Sequence, residues 1–412
     1  MTVEQKDVAA KPSKLHWKDL ALFGNPPAFD TPLHVGRPNV GDTQRLHQRI
    51  DEILHRRWLT NNGPCVHEFE QQIARTLGVR HCVAVCNATV GLEILLRALD
   101  LGGEVIVPSL TFVATAHALL WQHINPVFCD IDPQTHNIDP RRIENLITPA
   151  TTAIVGVHLW GRPCDVDSLS AIARRHDLRL LFDAAHAFAC SYKGEMIGNF
   201  GDAEVFSFHA TKFVNAFEGG AITTNNDDLA ETVRLCKNFG FAGYDDVVTL
   251  GTNGKMTEVS AAMGITSLEC LDDFVAVNRR NYRQYQEELI GVPGVSLIRY
   301  DEAEECNYQY VVLEIDESVT RVGRDDVLKI LLAENVIARR YFYPGCHRME
   351  PYRSRFPDAG RSLPETERIA AQLLSLPTGT AVGSGEITII CRIIKLALSQ
   401  GMAAGRHPLV DR

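Results

Sequence analysis

Ser207-Phe208-His209-Ala210-Thr211-Lys212-Phe213-Val214-Asn215-Ala216-Phe217-Glu218-Gly219-Gly220 follows directly on an apolar run that begins at Ala203. The run 203–208 reads as a short buried strand. It ends in small and hydroxyl-bearing residues, then one lysine, then a glycine pair that permits tight turns. A lysine at the mouth of a buried strand is poorly placed as a solvated cation. Partial burial would lower its pKa and expose a nucleophilic amine, as Schiff-base chemistry requires. The plain alternative is a surface lysine after a strand, so the chain upstream has to decide between the two.

Upstream, short apolar strands alternate with helices. Strands are predicted over 81–86, 104–107, 126–130, 153–157 and 178–182, with helices over 90–99, after Phe112 through Trp121, after Asp139-Pro140 and after Asp165. Strands at 203–208 and 221–224 close the series. This βαβ alternation predicts an α/β domain with a mostly parallel sheet covered on both faces by helices. Two helices, 42–58 and 66–77, precede it, the second stopped by Gly78. After about residue 227 the pattern changes. Helices are expected over 227–239 and 257–289, strands over 308–315 and 337–343, and helices over 324–334, 366–374 and 385–398. The expected organisation is a loosely ordered arm over 1–30, a large domain over 31–270 and a smaller α+β domain over 271–412.

Ligands of an open parallel sheet sit at the carboxyl ends of its strands. Four features fall there. Asn87-Ala88-Thr89 leads straight into a helix, whose free N–H groups and positive dipole end suit a phosphate, although Asn and Thr are also ordinary caps. Asp183 closes a Leu-Leu-Phe strand. A buried carboxylate needs a cationic or donor partner, and a protonated pyridine nitrogen would serve; a helix cap is the plain alternative. Phe112, beside Thr111, could lie on a heteroaromatic ring or simply be core. Gly251-Thr252-Asn253-Gly254-Lys255 is a polar turn further along the chain. A phosphate cradle, ring stacker, carboxylate and lysine in this order point to pyridoxal 5′-phosphate linked to Lys212.

Composition narrows the field. The 412 residues are 45% hydrophobic and carry a net charge of −10 without a long basic run, which argues against nucleic acid as a partner. Eleven cysteines are scattered, many inside apolar runs and none in a CxxC pair, which is the usage of reduced thiols in a cytosol; no metal site is expected. The first twenty residues lack an apolar leader segment, and no apolar run approaches membrane length, so a cytoplasmic enzyme without membrane contact is expected.

Ser-Phe-His-Ala-Thr-Lys followed by Glu-Gly-Gly resembles the signature of the DegT/StrS sugar aminotransferases, which are fold type I pyridoxal phosphate enzymes acting on nucleotide-linked keto sugars. Thr60…Gly63-Pro64, Thr111-Phe112-Val113-Ala114-Thr115, Asp183-Ala184-Ala185 and Gly251-Thr252-Asn253 match it too, over roughly residues 30 to 400. The resemblance implies that Lys212 forms the Schiff base and shuttles the proton, that Asp183 pairs with the pyridinium nitrogen and that Phe112 stacks on the ring. It implies that Ala88, Thr89 and Ser207 hold the phosphate, and that Asn253 reaches the phosphate of a neighbouring subunit, hence a homodimer with shared sites. Two positions depart from the pattern. His186 stands where the family commonly has Gln, and can still bond the ring hydroxyl, its tautomer open. Phe217 stands where glycine is common, which leaves the shape of the loop after Lys212 open. A dehydratase relative carries His at the lysine position; Lys212 argues against that chemistry.

Residues 339–347 resemble the branch that aminates C4 of dTDP-4-keto-6-deoxyglucose, and L-glutamate is the expected amine donor. Tyr343 and His347 would then face the sugar, and Asn62, in the polar loop 59–64, is a third substrate-binding candidate. C3 amination shares every cofactor residue and is the alternative within the class. A non-catalytic regulator that binds pyridoxal phosphate is the alternative outside it.

Overall fold

The computed structural model describes residues 14–404, with side chains to 399. The first thirteen residues of the expected arm lie outside the described residues. The central sheet holds β1 (His81–Val85), β2 (Glu104–Pro108), β3 (Asn125–Cys129), β4 (Thr151–Val157), β5 (Arg179–Asp183), β6 (Ala203–Ser207) and β7 (Gly220–Thr224). Their order is β1-β7-β6-β5-β4-β2-β3. Only β7 runs antiparallel to its neighbours; every other pairing is parallel. β7 can reverse because the 207–220 loop returns the chain to the same end of the sheet, with Gly220 opposite both Ser207 and Val85.

The strands alternate which layer they feed. Helices α1 (Thr43–Arg56) and α2 (Pro64–Leu77) precede the sheet and α6 (Asp227–Cys236) follows it. Val105 and Val107 pack in one cluster with α3 (Ala88–Ala98) and α4 (Val113–Trp121), while Ile106 packs in another with α5 (Val166–Arg175). Near-continuous Val, Ile and Leu runs are therefore buried on both faces. A second unit is built on an antiparallel sheet of β8 (Val295–Leu297), β9 (Val311–Ile315) and β10 (Leu373–Leu376). All eleven cysteines are free, and all but Cys86 and Cys270 are buried. Among the described residues no helix is long and apolar enough to cross a membrane.

Four expectations are corrected. The helix predicted over 257–289 is two, α7 (Glu258–Leu268) and α8 (Leu271–Leu289). α7 is buried over most of its surface, whereas α8 buries one stripe, so the pair needs a change of direction that no Gly or Pro at the junction announces. Leu373–Leu376, of which the first two residues are expected to end a helix, is a strand pairing with β9. The strand predicted over 337–343 shrinks to Val336–Ile337, which pairs in parallel with Leu33–His34; turns follow. The arm, where described, is anchored. The buried Glu334 carboxylate accepts from the amides of Ala21 and Ala28, each at 2.6 Å, and meets Lys14 Nζ at 3.3 Å. Leu20 and Phe29 are buried beside it. A carboxylate removed from water requires such donors, and the arm supplies them.

Candidate active site

The carboxyl ends of the parallel strands open into a cavity of about 500 Å³. Ala88, Thr89, Phe112, Asp183, His186, Ser207 and Lys212 all line it. Asn87 caps α3 by accepting from Val90 N at 2.9 Å. The amides of Ala88 and Thr89 precede the first intrahelical bonds and remain available. The glycine pair explains itself here: a Cβ on Gly220 would sit 2.7 Å from Ala88 N, so only glycine lets β7 pass the start of α3. Phe112, the residue ahead of α4, is 55% exposed and lies 6.0 Å from Phe342, so it is a wall of the cavity and not core.

Asp183 is buried, and burial raises its pKa against the hydrogen bonds and the nearby Lys212 charge that lower it. Its Oδ2 accepts from Thr115 Oγ1 at 2.8 Å and its Oδ1 from Ala185 N at 3.1 Å. Thr111 and Thr115 hydroxyls lie 2.9 Å apart, so one proton chain fixes the carboxylate. Burial brings the Lys212 amine down to about 8, with the Asp183 charge opposing. Lys212 Nζ donates to Tyr310 Oη at 3.0 Å.

His186 is buried and held neutral, its pKa pushed well below the ordinary histidine value by burial. Its Nδ1 accepts from Trp160 N at 3.1 Å, which leaves the proton on Nε2 and settles the tautomer. Its ring stacks on Phe342 at 5.7 Å. Phe217, 45% exposed, adopts φ 58°, the left-handed backbone that glycine takes freely, so the loop keeps a glycine-like path with a phenylalanine on it.

Other expected residues lie elsewhere. Tyr343 is outside the cavity, its ring 4.8 Å and 4.6 Å from the guanidinium carbons of Arg324 and Arg340; Tyr341 and Phe342 line the cavity instead. The expected strand is a turn, with Tyr343 N donating to Arg340 O at 2.6 Å, so the side-chain alternation is lost. His347 is buried between Ser109 Oγ, 2.7 Å from Nδ1, and Glu367 Oε1, 2.8 Å from Nε2. It ties the turn to the loop that carries Phe112 and does not face the cavity. Asn62 does not line the cavity either, and Asn253, expected to serve a neighbouring subunit, does not line the cavity of its own chain. Asn62 bonds His67 at 3.0 Å and edges a smaller hollow with Arg234, Lys237 and Lys255. Asn253 is exposed on a segment running beside the end of β1, where Gly254 O accepts from Cys86 N at 2.8 Å. Sequence reasoning missed Tyr310, Arg37 and the role of Thr115 as anchor. Only Thr115 stood inside a matched motif.

A lysine and an anchored carboxylate converging where the parallel strands of such a sheet end define the class of fold type I pyridoxal phosphate enzymes. The chain belongs to the DegT/DnrJ/EryC1/StrS aminotransferase family, whose profile matches residues 41–395. It is 36% identical to the dTDP-4-amino-4,6-dideoxy-D-glucose transaminase of Shigella dysenteriae, over 89% of this chain and 99% of that one. It is 34% identical to the Escherichia coli enzyme of the same name, over 90% and 99%. The solved structure of DesI in the presence of its TDP-sugar product superposes with a TM-score of 0.89 at 52% identity, covering 93% of this chain and 97% of DesI.

Proposed function

We propose that the protein transfers an amino group from L-glutamate to C4 of dTDP-4-keto-6-deoxyglucose, with pyridoxal 5′-phosphate as cofactor. The convergence of the Lys212 amine and the anchored Asp183 carboxylate on one cavity carries the reading. The residues fit the cofactor. The start of α3, which Gly220 alone leaves room for, offers amides to a phosphate. An exposed Phe112 offers a face to a ring, and the buried Asp183 carboxylate is held by Thr115 and Ala185 without a direct ion pair among the described residues. The substrate assignment is supported by the named activity of the transaminase relatives.

When bound, the cofactor supplies a ring that stabilises negative charge at the carbon exchanging its amine. Asp183 would keep a proton on the pyridine nitrogen. Ala88 and Thr89 N–H groups, with the Thr89 and Ser207 hydroxyls, would hold the phosphate, and Phe112 would cover the ring face. His186 Nε2–H would donate to the ring oxygen. Lys212 Nζ takes the proton from the carbon losing its amine and returns it to the carbon gaining one, first with glutamate and then with the sugar. Tyr310 Oη fixes where that amine rests.

A homodimer is part of the reading. Phe239, Phe241, Tyr244, Val247, Val248 and Leu250 expose apolar surface within one loop, close in sequence to the exposed Asn253. The test is direct. Purified protein mixed with pyridoxal phosphate should gain a visible absorption band that Lys212→Ala lacks. Incubation with L-glutamate and dTDP-4-keto-6-deoxyglucose should give a product with nitrogen at C4 by NMR. Failure to take up the cofactor, or nitrogen at C3 from a 3-keto substrate alone, overturns the assignment.

A further inference from the structure

Apart from the buried His186 and the tyrosines, five acidic, basic or imidazole side chains line the cavity: Arg37, Asp183, His209, Lys212 and Glu218. Four have partners. Asp183 is bound by Thr115 and Ala185, Lys212 by Tyr310, and His209 meets Glu218 at 3.5 Å. Arg37, exposed at the cavity, makes no hydrogen bond or ion pair with any described residue, while the chain on either side of it is anchored. On one side Leu33 and Val35 donate to the carbonyls of Asn335 and Ile337 at 2.9 and 3.3 Å. On the other, buried Asn39 donates to Phe213 O at 3.0 Å, and Thr380 N donates to Asn39 Oδ1 at 3.1 Å. Between them Gly36 takes φ 72°, with room for no more than a Cβ 3.0 Å from Thr211 Cβ, the residue before Lys212. A taut strap thus presents one guanidinium at the mouth of the cavity, beside the loop that carries the reactive amine.

A guanidinium keeps its charge throughout the working pH range, and its fork matches a carboxylate or a phosphate equally well. The two substrates of the proposed transamination differ in everything except that each is an anion of this kind. The donor carries carboxylates, the acceptor a diphosphate, and both must enter the cavity that holds Lys212, one after the other. We propose that Arg37 is the substrate-binding residue the two share, gripping a carboxylate of the amino donor in the first half of the cycle and the diphosphate of the nucleotide sugar in the second. The inference rests on the reaction assigned above and adds the residue that lets one pocket serve two unlike molecules.

The experiment uses cofactor-loaded enzyme, wild type, Arg37→Gln and Arg37→Lys, each checked for an unchanged visible band so that folding and cofactor uptake are separately known. Calorimetric titration with dTDP reads the diphosphate without turnover. Single-turnover mixing with L-glutamate reads the donor through the change in the cofactor band. Arg37→Gln should weaken both ligands at least tenfold, and Arg37→Lys should recover part of each, since a point charge replaces a fork. Affinity within twofold of wild type for either ligand in Arg37→Gln overturns the shared role. If wild type itself neither binds dTDP nor responds to L-glutamate, the reaction assignment falls and takes the shared site with it. If wild type does both and Arg37→Gln does both equally well, only the role of Arg37 falls.

Discussion

Lys212 carries an amine that burial brings down to about 8 from an ordinary value of 10.5. The folded apoprotein therefore holds free base above pH 8, whereas an exposed lysine would still be almost fully protonated. Capture of pyridoxal phosphate by the apoprotein, followed as growth of the visible band, should accelerate with rising pH and reach half its maximum near pH 8. A rate still climbing steadily to pH 10 would show that the amine is not depressed. Asp183 and Lys212 were legible in the sequence because the first ends an apolar strand and the second follows one within five residues, at the edge where ligands sit. Tyr310 and Arg37 were not, because neither ends a strand of the central sheet. Tyr310 lies just ahead of a strand of the second unit, and Arg37 sits on a strap with no periodic pattern. Tyr343 and His347 misled for a related reason: alternation along an expected strand has no meaning once the segment turns.

At the scale of elements, the start of α3 and the start of β7 press together. A Cβ on Gly220 would also lie 2.7 Å from Asn87 C, and backbone cannot swing aside. Gly220→Ala should cost about 2 kcal/mol of stability, typical of overpacking, and disturb the amides offered to phosphate. Thermal melts should register the first effect, and loss of bound cofactor on gel filtration the second. A variant that melts and retains cofactor like wild type would remove the cradle from the account. Most strands of the central sheet were visible in sequence as runs of Val, Ile and Leu, since both faces are buried. The reversal of β7 was not visible, because an apolar run carries no direction. The break between α7 and α8 was hidden for lack of a breaker residue, and β10 was read as the tail of the helix before it.

Across the whole molecule, the exposed apolar loop should be covered by a second copy. Sedimentation velocity should find a dimer, and Val247→Asp combined with Leu250→Asp should shift it toward monomer while the fold persists. A wild-type protein that sediments as a monomer at micromolar concentration would refute the dimer. One consequence concerns time. The arm is held by Glu334, with Ala28 and its acceptor 306 residues apart in the chain. At a ribosomal pace of about 5–20 residues per second, on the order of fifteen to sixty seconds separate the emergence of the two. Through that interval Leu20 and Phe29 lack the partners that Glu334 brings, so a segment made early is among the last to fold, and a nascent chain halted before residue 334 leaves it open to chaperones and proteases.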